Sequence, residues 1–360
     1  MKVGRRDFLK LTALYGAGVV IGCRTTSPKQ SLKGPSHLEV PTLRTLTASL
    51  INNFAGYTQG SLLVFADRSS LNLGQSIIDS GNAVSGKCNV DLIDIDPYRN
   101  GNSLTELSGA LRDEITSKLR GSDLNHNTLL YVMRSLEGET PFRRELVNMA
   151  ASKGKIGGLP DCTSEVLRAA YHPKNKPKFS GELFRFLSQV TEVKATCNRG
   201  SNLTITLDNK RYNLVESNGY LIPGKYSNPI PAEVYTHPVN VEGTLVISCL
   251  YDPLNGVGPF KDSQVLMKAL NRDPIIWKIK QGKIIDVGCN NPFIRKFVRA
   301  EVFERDSENG MRIGEAGFPA NLYVLGGKAT GNLTIDEKGR FHLANGDGYQ
   351  PRTGCKYTSK

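Results

Sequence analysis

The sequence is short of the compact signatures that announce most functions. Its seven cysteines are Cys23, Cys88, Cys162, Cys197, Cys249, Cys289 and Cys355, and they form no CxxC pair and no metal-ligand spacing. Cysteine-built metal sites therefore have no support, and most of these thiols read as small buried residues. Neither GxGxxG nor GxxxxGKS occurs, so nucleotide binding has no motif behind it. No apolar run comfortably reaches the ~20 residues that span a bilayer. The basic residues are scattered and not interleaved with aromatics, which sets nucleic acid aside as a partner.

What is present begins at the N-terminus. Gly4-Arg5-Arg6-Asp7-Phe8-Leu9-Lys10 follows the twin-arginine export pattern, apart from the usual Ser or Thr before the arginines. A short apolar run from Leu11 to Gly22 ends in Val20-Ile21-Gly22-Cys23, a lipoprotein-type cleavage box in which Cys23 would carry the lipid. Residues 24–40, rich in Ser, Thr, Pro and Lys, read as a flexible tether. The expected location is the periplasm or cell envelope, with the membrane reached through the anchor. Of the net charge of +12, Lys2, Arg5, Arg6 and Lys10 set against Asp7 place three in this leader.

The remaining ~320 residues suit two domains on the usual size prior. Over 41–190 short apolar runs, Ser61 to Ala66, Val90 to Ile95, Thr128 to Met133 and Lys155 to Leu159, alternate with amphipathic stretches from Leu73 to Ala83, Leu104 to Leu119 and Phe142 to Ser152. Leu104, Leu107, Leu111, Ile115 and Leu119 recur at helical spacing, which predicts one face. Alternating strands and helices predict an α/β scaffold on a parallel sheet. Over 191–360 the texture becomes β-rich: Val193 to Cys197, Leu203 to Leu207, Arg211 to Val215, Leu245 to Leu250, Ile275 to Ile279 and Lys283 to Val287. Asn209-Lys210 and Gln281-Gly282-Lys283 read as hairpin turns. One helix is predicted over Pro292 to Phe303, with Phe293, Phe297 and Val298 on one side. This half is expected to be α+β with much antiparallel sheet.

Near the C-terminus Glu315, His342 and Tyr349 stand in glycine-rich surroundings, which points to a metal site on sheet edges and turns. Five short stretches then carry a resemblance: Gly200-Ser201-Asn202-Leu203, Ile230-Pro231-Ala232-Glu233-Val234-Tyr235-Thr236-His237-Pro238, Gly314-Glu315-Ala316-Gly317-Phe318, Asp336-Glu337-Lys338, and His342 to Tyr349. In order and spacing they resemble the thermophilic metalloaminopeptidase family that includes aminopeptidases T and S. Leu159-Pro160-Asp161-Cys162-Thr163 resembles the family's helix-entry turn, so the likeness runs from about residue 60 to residue 350.

The resemblance implies a C-terminal catalytic domain, a homodimer enclosing the site, and removal of N-terminal residues from peptides by one or two divalent ions (Zn, Co, Mn or Fe). It implies Glu233, Glu315 and His342 as metal ligands and Tyr349 as a catalytic residue. The family's later H-x-D ligand motif is missing, because Tyr349 is followed by Gln350-Pro351-Arg352-Thr353-Gly354-Cys355 and five further residues. Asp347, His237 and Cys355 are candidates to complete the set, with Asp347 ahead of His237. Residues four apart on a strand are separated by ~13 Å, so Glu233 and His237 share an ion only if the chain bends.

Three functions follow in order of preference. The first is an exported metal-dependent aminopeptidase with a reduced site. The second is a non-catalytic member that binds peptides or a partner. The third is a mononuclear iron ring-cleaving dioxygenase of the same superfamily.

Overall fold

The computed structural model describes residues 42–52, 61–85, 89–99, 103–119, 127–134, 139–151, 154–171, 178–221, 223–224, 226–230, 233–248, 263–304, 306–321, 338–346, 348 and 352–355. The described chain opens with helix α1 (Leu43–Asn52) and strand β1 (Leu62–Ala66), followed by α2 (Leu71–Ser85), β2 (Val90–Asp94) and the short α3 (Asp96–Arg99). Then come α4 (Gly109–Lys118), β3 (Thr128–Tyr131), α5 (Thr140–Ala151), β4 (Lys155–Gly158), α6 (Ser164–Ala170) and α7 (Lys178–Leu187). The strands pair in parallel in the order β2-β1-β3-β4, as the alternating pattern predicts.

Residues of β1, β3 and β4 are buried throughout. Leu62, Val64, Leu130 and Val132 point into one apolar cluster, and Leu63, Phe65, Leu129 and Tyr131 into the other. That two-sided burial is why these runs lack a polar alternation. Helix α4 starts later than its leucine spacing predicts. Ser108 accepts a hydrogen bond from the Leu111 amide at 3.3 Å and caps the helix, so Leu104 and Leu107 precede it. Both still enter the same core cluster as Leu111 and Ile115.

At the carboxyl ends of β1 and β3 lies a buried charge network. Arg99 donates to both oxygens of Glu139 at 2.8 Å each, to Asp67 Oδ2 at 2.7 Å and to the Arg134 carbonyl at 2.9 Å. Asp67 Oδ2 also accepts from the Arg134 amide and Nε, and Oδ1 from the Ser69 amide. Burial works against the Asp67 carboxylate. The hydrogen bonds from Ser69, Arg99 and Arg134 outweigh it and hold its pKa far below the usual range.

The second half holds two antiparallel sheets, as its β-rich texture predicts. One contains β5 (Glu192–Thr196), β6 (Asn202–Thr206), β10 (Asn240–Ile247), β11 (Ile275–Lys280) and β12 (Lys283–Gly288), in the order β12-β11-β10-β6-β5. The β11–β12 turn is the expected hairpin, and Gln281 and Gly282 both have positive φ, at 52° and 69°. Asn209-Lys210 is not a hairpin. Strand β6 pairs with β5 and β10, and the turn after it, pinned by bonds from the Lys210 and Arg211 amides to Asp208 Oδ1, leads the chain out of that sheet. The run from Arg211 yields strand only from Val215.

The other sheet has the order β14-β13-β9-β7, built from β7 (Val215–Ser217), β9 (Glu233–Thr236), β13 (Ile313–Pro319) and β14 (His342–Asn345). Between β7 and β9 a two-residue strand, β8 (Tyr226–Ser227), returns to the first sheet and pairs in parallel with β4. Helices α8 (Ser263–Arg272) and α9 (Pro292–Phe303) complete the half. Helix α9 has the predicted bounds, because Asn291 accepts from the Phe293 and Ile294 amides and Pro292 fits the first turn. Its buried stripe is Ile294, Val298 and Val302, while Phe293 is exposed, which corrects the predicted face. Among the described residues no helix is long and apolar enough to cross a membrane.

Candidate metal centre

The site is written in the register of the four-stranded antiparallel sheet. Gly317 on β13 lies opposite Tyr235 on β9 and opposite His342 on β14, and Pro319 lies opposite Glu233. Directly opposed residues project from the same face, and that face repeats every second residue. Glu233, Tyr235, Glu315, Gly317 and His342 thus share one face. Val234, Ala316 and Phe318 point the other way, into the apolar core of the C-terminal half.

A β-bulge makes this possible. The β13–β14 register shifts between Ile313 and Glu315, so that Ile313 joins the core while Glu315, two residues on, joins the site. His237 holds the bulge: its Nδ1 is 2.9 Å from the Gly314 carbonyl and therefore donates to it, and its ring stands edge-on to Tyr212 at 4.5 Å. Burial lowers the His237 pKa and keeps the ring neutral. His237 orients the strand that carries Glu315 and is not one of the converging ligands.

The convergence is tight. His342 Nε2 lies 3.1 Å from Glu233 Oε2 and 3.4 Å from Glu315 Oε1, and one ligand atom from each residue falls within 4.8 Å of the others. Glu233 is 3 % and Glu315 4 % exposed. Gly317 creates the space. A Cβ there would sit 2.2 Å from His342 Cε1 and Nε2 and 2.9 Å from Glu233 Oε2, so the two side chains occupy the volume that any larger residue would fill.

Two features fit this trio to a divalent cation. His342 Nδ1 is 3.2 Å from the Arg340 carbonyl, which can only accept, so Nδ1 carries a proton and Nε2 is the atom presented to the carboxylates. Glu233 Oε2 is fully buried and has no aligned hydrogen-bond donor despite the nearby imidazole. Two carboxylates ~4 Å apart repel by on the order of 4 kcal/mol at an effective dielectric of 20. A proton, on Nε2 or shared between the carboxylates, or a cation offsets that. Burial disfavours the imidazolium, yet the Glu233 and Glu315 carboxylates more than compensate and push the His342 pKa well above 6.5. A divalent ion would replace that proton with two charges and satisfy the orphaned oxygen.

Of the sequence-predicted site residues, the structure brings together Glu233, Glu315 and His342. Tyr349, Asp347 and Cys23 lie outside the described residues. Cys355 is buried and is not part of the described ligand group. Sequence reasoning missed Tyr235 and Arg352. Tyr235 is 5 % exposed, and Arg352 Nη1 donates to its hydroxyl at 3.0 Å. Burial raises the Tyr235 pKa; Arg352 opposes that, and Glu315 and Glu233 add to it. The available signal was spacing, since Tyr235 stands two residues after Glu233 on a strand.

No family model matches the chain, and no curated protein matches it. Several solved structures share its fold, among them two enzymes. The 2,5-dihydroxypyridine dioxygenase of Pseudomonas putida is similar with a TM-score of 0.57 and 16 % identity, over 89 % of this chain and 90 % of that one. The aminopeptidase AmpT of Thermus thermophilus is similar with a TM-score of 0.55 and 15 % identity, over 86 % of each chain. At such identities the likeness establishes a shared architecture, and function has to be argued from the site.

Proposed function

We propose that the chain is a metal-dependent hydrolase of the aminopeptidase type, which removes N-terminal residues from peptides at one divalent ion held by Glu233, Glu315 and His342. The ligand chemistry carries this reading. Both structural relatives share the fold, so they do not decide between hydrolysis and ring cleavage. Non-haem iron oxygenases typically bind their metal through two imidazoles and one carboxylate. Here the described set is reversed, with two carboxylates and one imidazole. Oxygen-rich ligands with a single imidazole suit Zn, Mn or Fe rather than Cu, and the first two serve Lewis-acid work.

A divalent ion in this position supplies polarisation of a carbonyl and a nucleophile at neutral pH. The chain's own residues do the rest. Glu233 and Glu315 neutralise the ion, the Arg340 carbonyl fixes the His342 tautomer, and the buried strands limit the water that reaches the site. Export by the twin-arginine route, lipidation at Cys23 and assembly as a homodimer belong to the same proposal. Mass analysis of the membrane fraction and sedimentation of the soluble chain test them.

Elemental analysis combined with amino-acid release from short peptides tests the function. One Zn, Mn or Co per chain, with release abolished in Glu315→Ala, is the expected result. Unchanged release in that variant would sink the hydrolase. Bound iron with oxygen uptake on a dihydroxylated ring would replace it with the dioxygenase. A metal-free chain that binds peptides without cleaving them would make it a binding protein.

A further inference from the structure

The amino ends of the parallel strands hold buried polar side chains that the metal site does not use. Thr128 on β3 is the lateral partner of Leu62 on β1 and of Lys155 on β4. Thr128 stands two residues before Leu130 and Lys155 two before Gly157, so both project onto the face that carries Leu62, Leu130 and Leu221. Adjacent strands are ~4.8 Å apart, which makes the two side chains direct neighbours. Asn127 precedes Thr128 at the strand end, where its Oδ1 accepts from the Ser61 amide at 3.2 Å. Thr128 is fully buried, and Asn127 is 3 % and Lys155 5 % exposed.

What these groups lack is an acceptor. Thr128 Oγ1 and Asn127 Nδ2 are buried without a hydrogen-bond partner. Among the described residues the Lys155 side chain makes no hydrogen bond or ion pair, and burial lowers its pKa with no neighbouring carboxylate to oppose it. Asn127 Oδ1 is already taken by Ser61, so what remains unmet is N–H and O–H donors beside a cationic centre. A water would satisfy the hydroxyl and the amide but would leave the ammonium without a counter-charge, whereas an anion meets all three. We propose that Thr128 and Lys155, with Asn127 at the strand end, form a buried site for a small inorganic anion at the amino edge of the parallel sheet. Near-complete burial limits the occupant to an ion of about halide size. Thr128 and Lys155 come together only when β3 and β4 pair, so the ion binds the folded chain and not the unfolded one. The site lies at the opposite end of β1 and β3 from the Arg99 network and does not depend on the metal reading.

Urea unfolding of the full chain tests this with chloride as the probe, exchanged against gluconate at fixed ionic strength. Chloride at ~10 times its dissociation constant should lower the wild-type unfolding constant about 10-fold. Lys155→Met keeps the length of the side chain and removes the charge, and Thr128→Val keeps the shape and removes the hydroxyl. The response should vanish in Lys155→Met and need roughly 10-fold more chloride in Thr128→Val. An equal response in Lys155→Met overturns the proposal, since chloride would then act elsewhere. So does a wild type indifferent to chloride, which would mean a neutral amine beside a water. If Lys155→Met fails to fold, anomalous scattering from crystals of the wild type grown in bromide decides. A bromide in contact with Lys155 Nζ and Thr128 Oγ1 upholds the site, and its absence there refutes it.

Discussion

Each half of the molecule buries a cluster of charge, and the two clusters are built from similar residues to opposite ends. Around Arg99 both oxygens of Glu139 and both of Asp67 meet donors, and the guanidinium bonds four different groups, Asp96 among them. Around His342 the Glu233 and Glu315 carboxylates both close on the imidazole, and Glu233 Oε2 has no aligned donor. The first cluster is complete within the chain and ties β1, α3 and the start of α5 together. The second leaves a buried oxygen of Glu233 without an aligned donor, which a cation from outside would satisfy. Buried acidity alone does not mark a functional site; an unmet demand for donors does.

Breaking the first cluster should have the largest effect. Arg99→Met leaves Asp67 and Glu139 buried without their partner and should cost about 3–5 kcal/mol of stability. Urea unfolding measures this, and the surviving fold should still load metal at Glu233, Glu315 and His342. A loss under ~1 kcal/mol would mean that the contrast between the clusters is misdrawn.

Glu233→Ala reverses the pattern. In the metal-free state, at a pH above that at which His342 loses its proton, stability should change little or rise, because the repulsion between carboxylates disappears and no imidazolium pairing is lost. Metal affinity should fall by at least ~100-fold, since losing even a residue that only orients a ligand costs 10–100-fold. Competition against a chromogenic chelator reads that directly. Gly317→Ala sharpens the comparison without touching a ligand. The added methyl displaces His342 and Glu233, and metal affinity should drop by roughly 10-fold. Unaltered affinity would show that the ring has room to retreat.

The smallest effects are in pH dependence, where the clusters should differ in sign. Asp67 has a folded pKa below its unfolded value of 3.8, so its stabilisation is present above that value and is lost as the pH falls further. His342 has a folded pKa above 6.5, so in the metal-free chain its contribution is present below pH 6.5 and is lost as the pH rises through the folded value. Each slope is at most ~1.4 kcal/mol per pH unit. Unfolding midpoints of metal-free wild type and His342→Gln should converge on the alkaline side. Metal binding should abolish that loss and release a proton, measurable by calorimetry in buffers of different ionisation enthalpy.

Much of the fold was legible because it rests on local signals. Strands β1 and β3 stand out as apolar runs, and the start of α9 is marked by Asn291 and Pro292. The errors arise where a local cap or a distant partner overrides the pattern. The leucine spacing from Leu104 continues smoothly past Ser108, but the serine side chain caps the backbone there and the helix begins late. Phe293 has the right hydrophobicity for a core position, yet the stripe that meets the core starts one residue later. In the site, Glu233, Glu315 and His342 were readable only as parts of short motifs in order. Their convergence depends on strand register across more than 100 residues and on the bulge at Gly314. Arg352 lies 117 positions from the tyrosine it contacts, a pairing no spacing rule would reveal.

The return strand β8 bears on how the molecule is made. Synthesis delivers the chain from its N-terminus at ~5–20 residues per second, yet the first sheet is not finished when α7 emerges. Its edge pairing at Tyr226–Ser227, and the buried side chains of Leu221 and Ile230 in its core, arrive only after β5, β6 and β7 have been built. The nascent N-terminal half must therefore wait with an open edge and a partly uncovered apolar face. A chain stopped after α7 would be the one most prone to pair with another copy of itself.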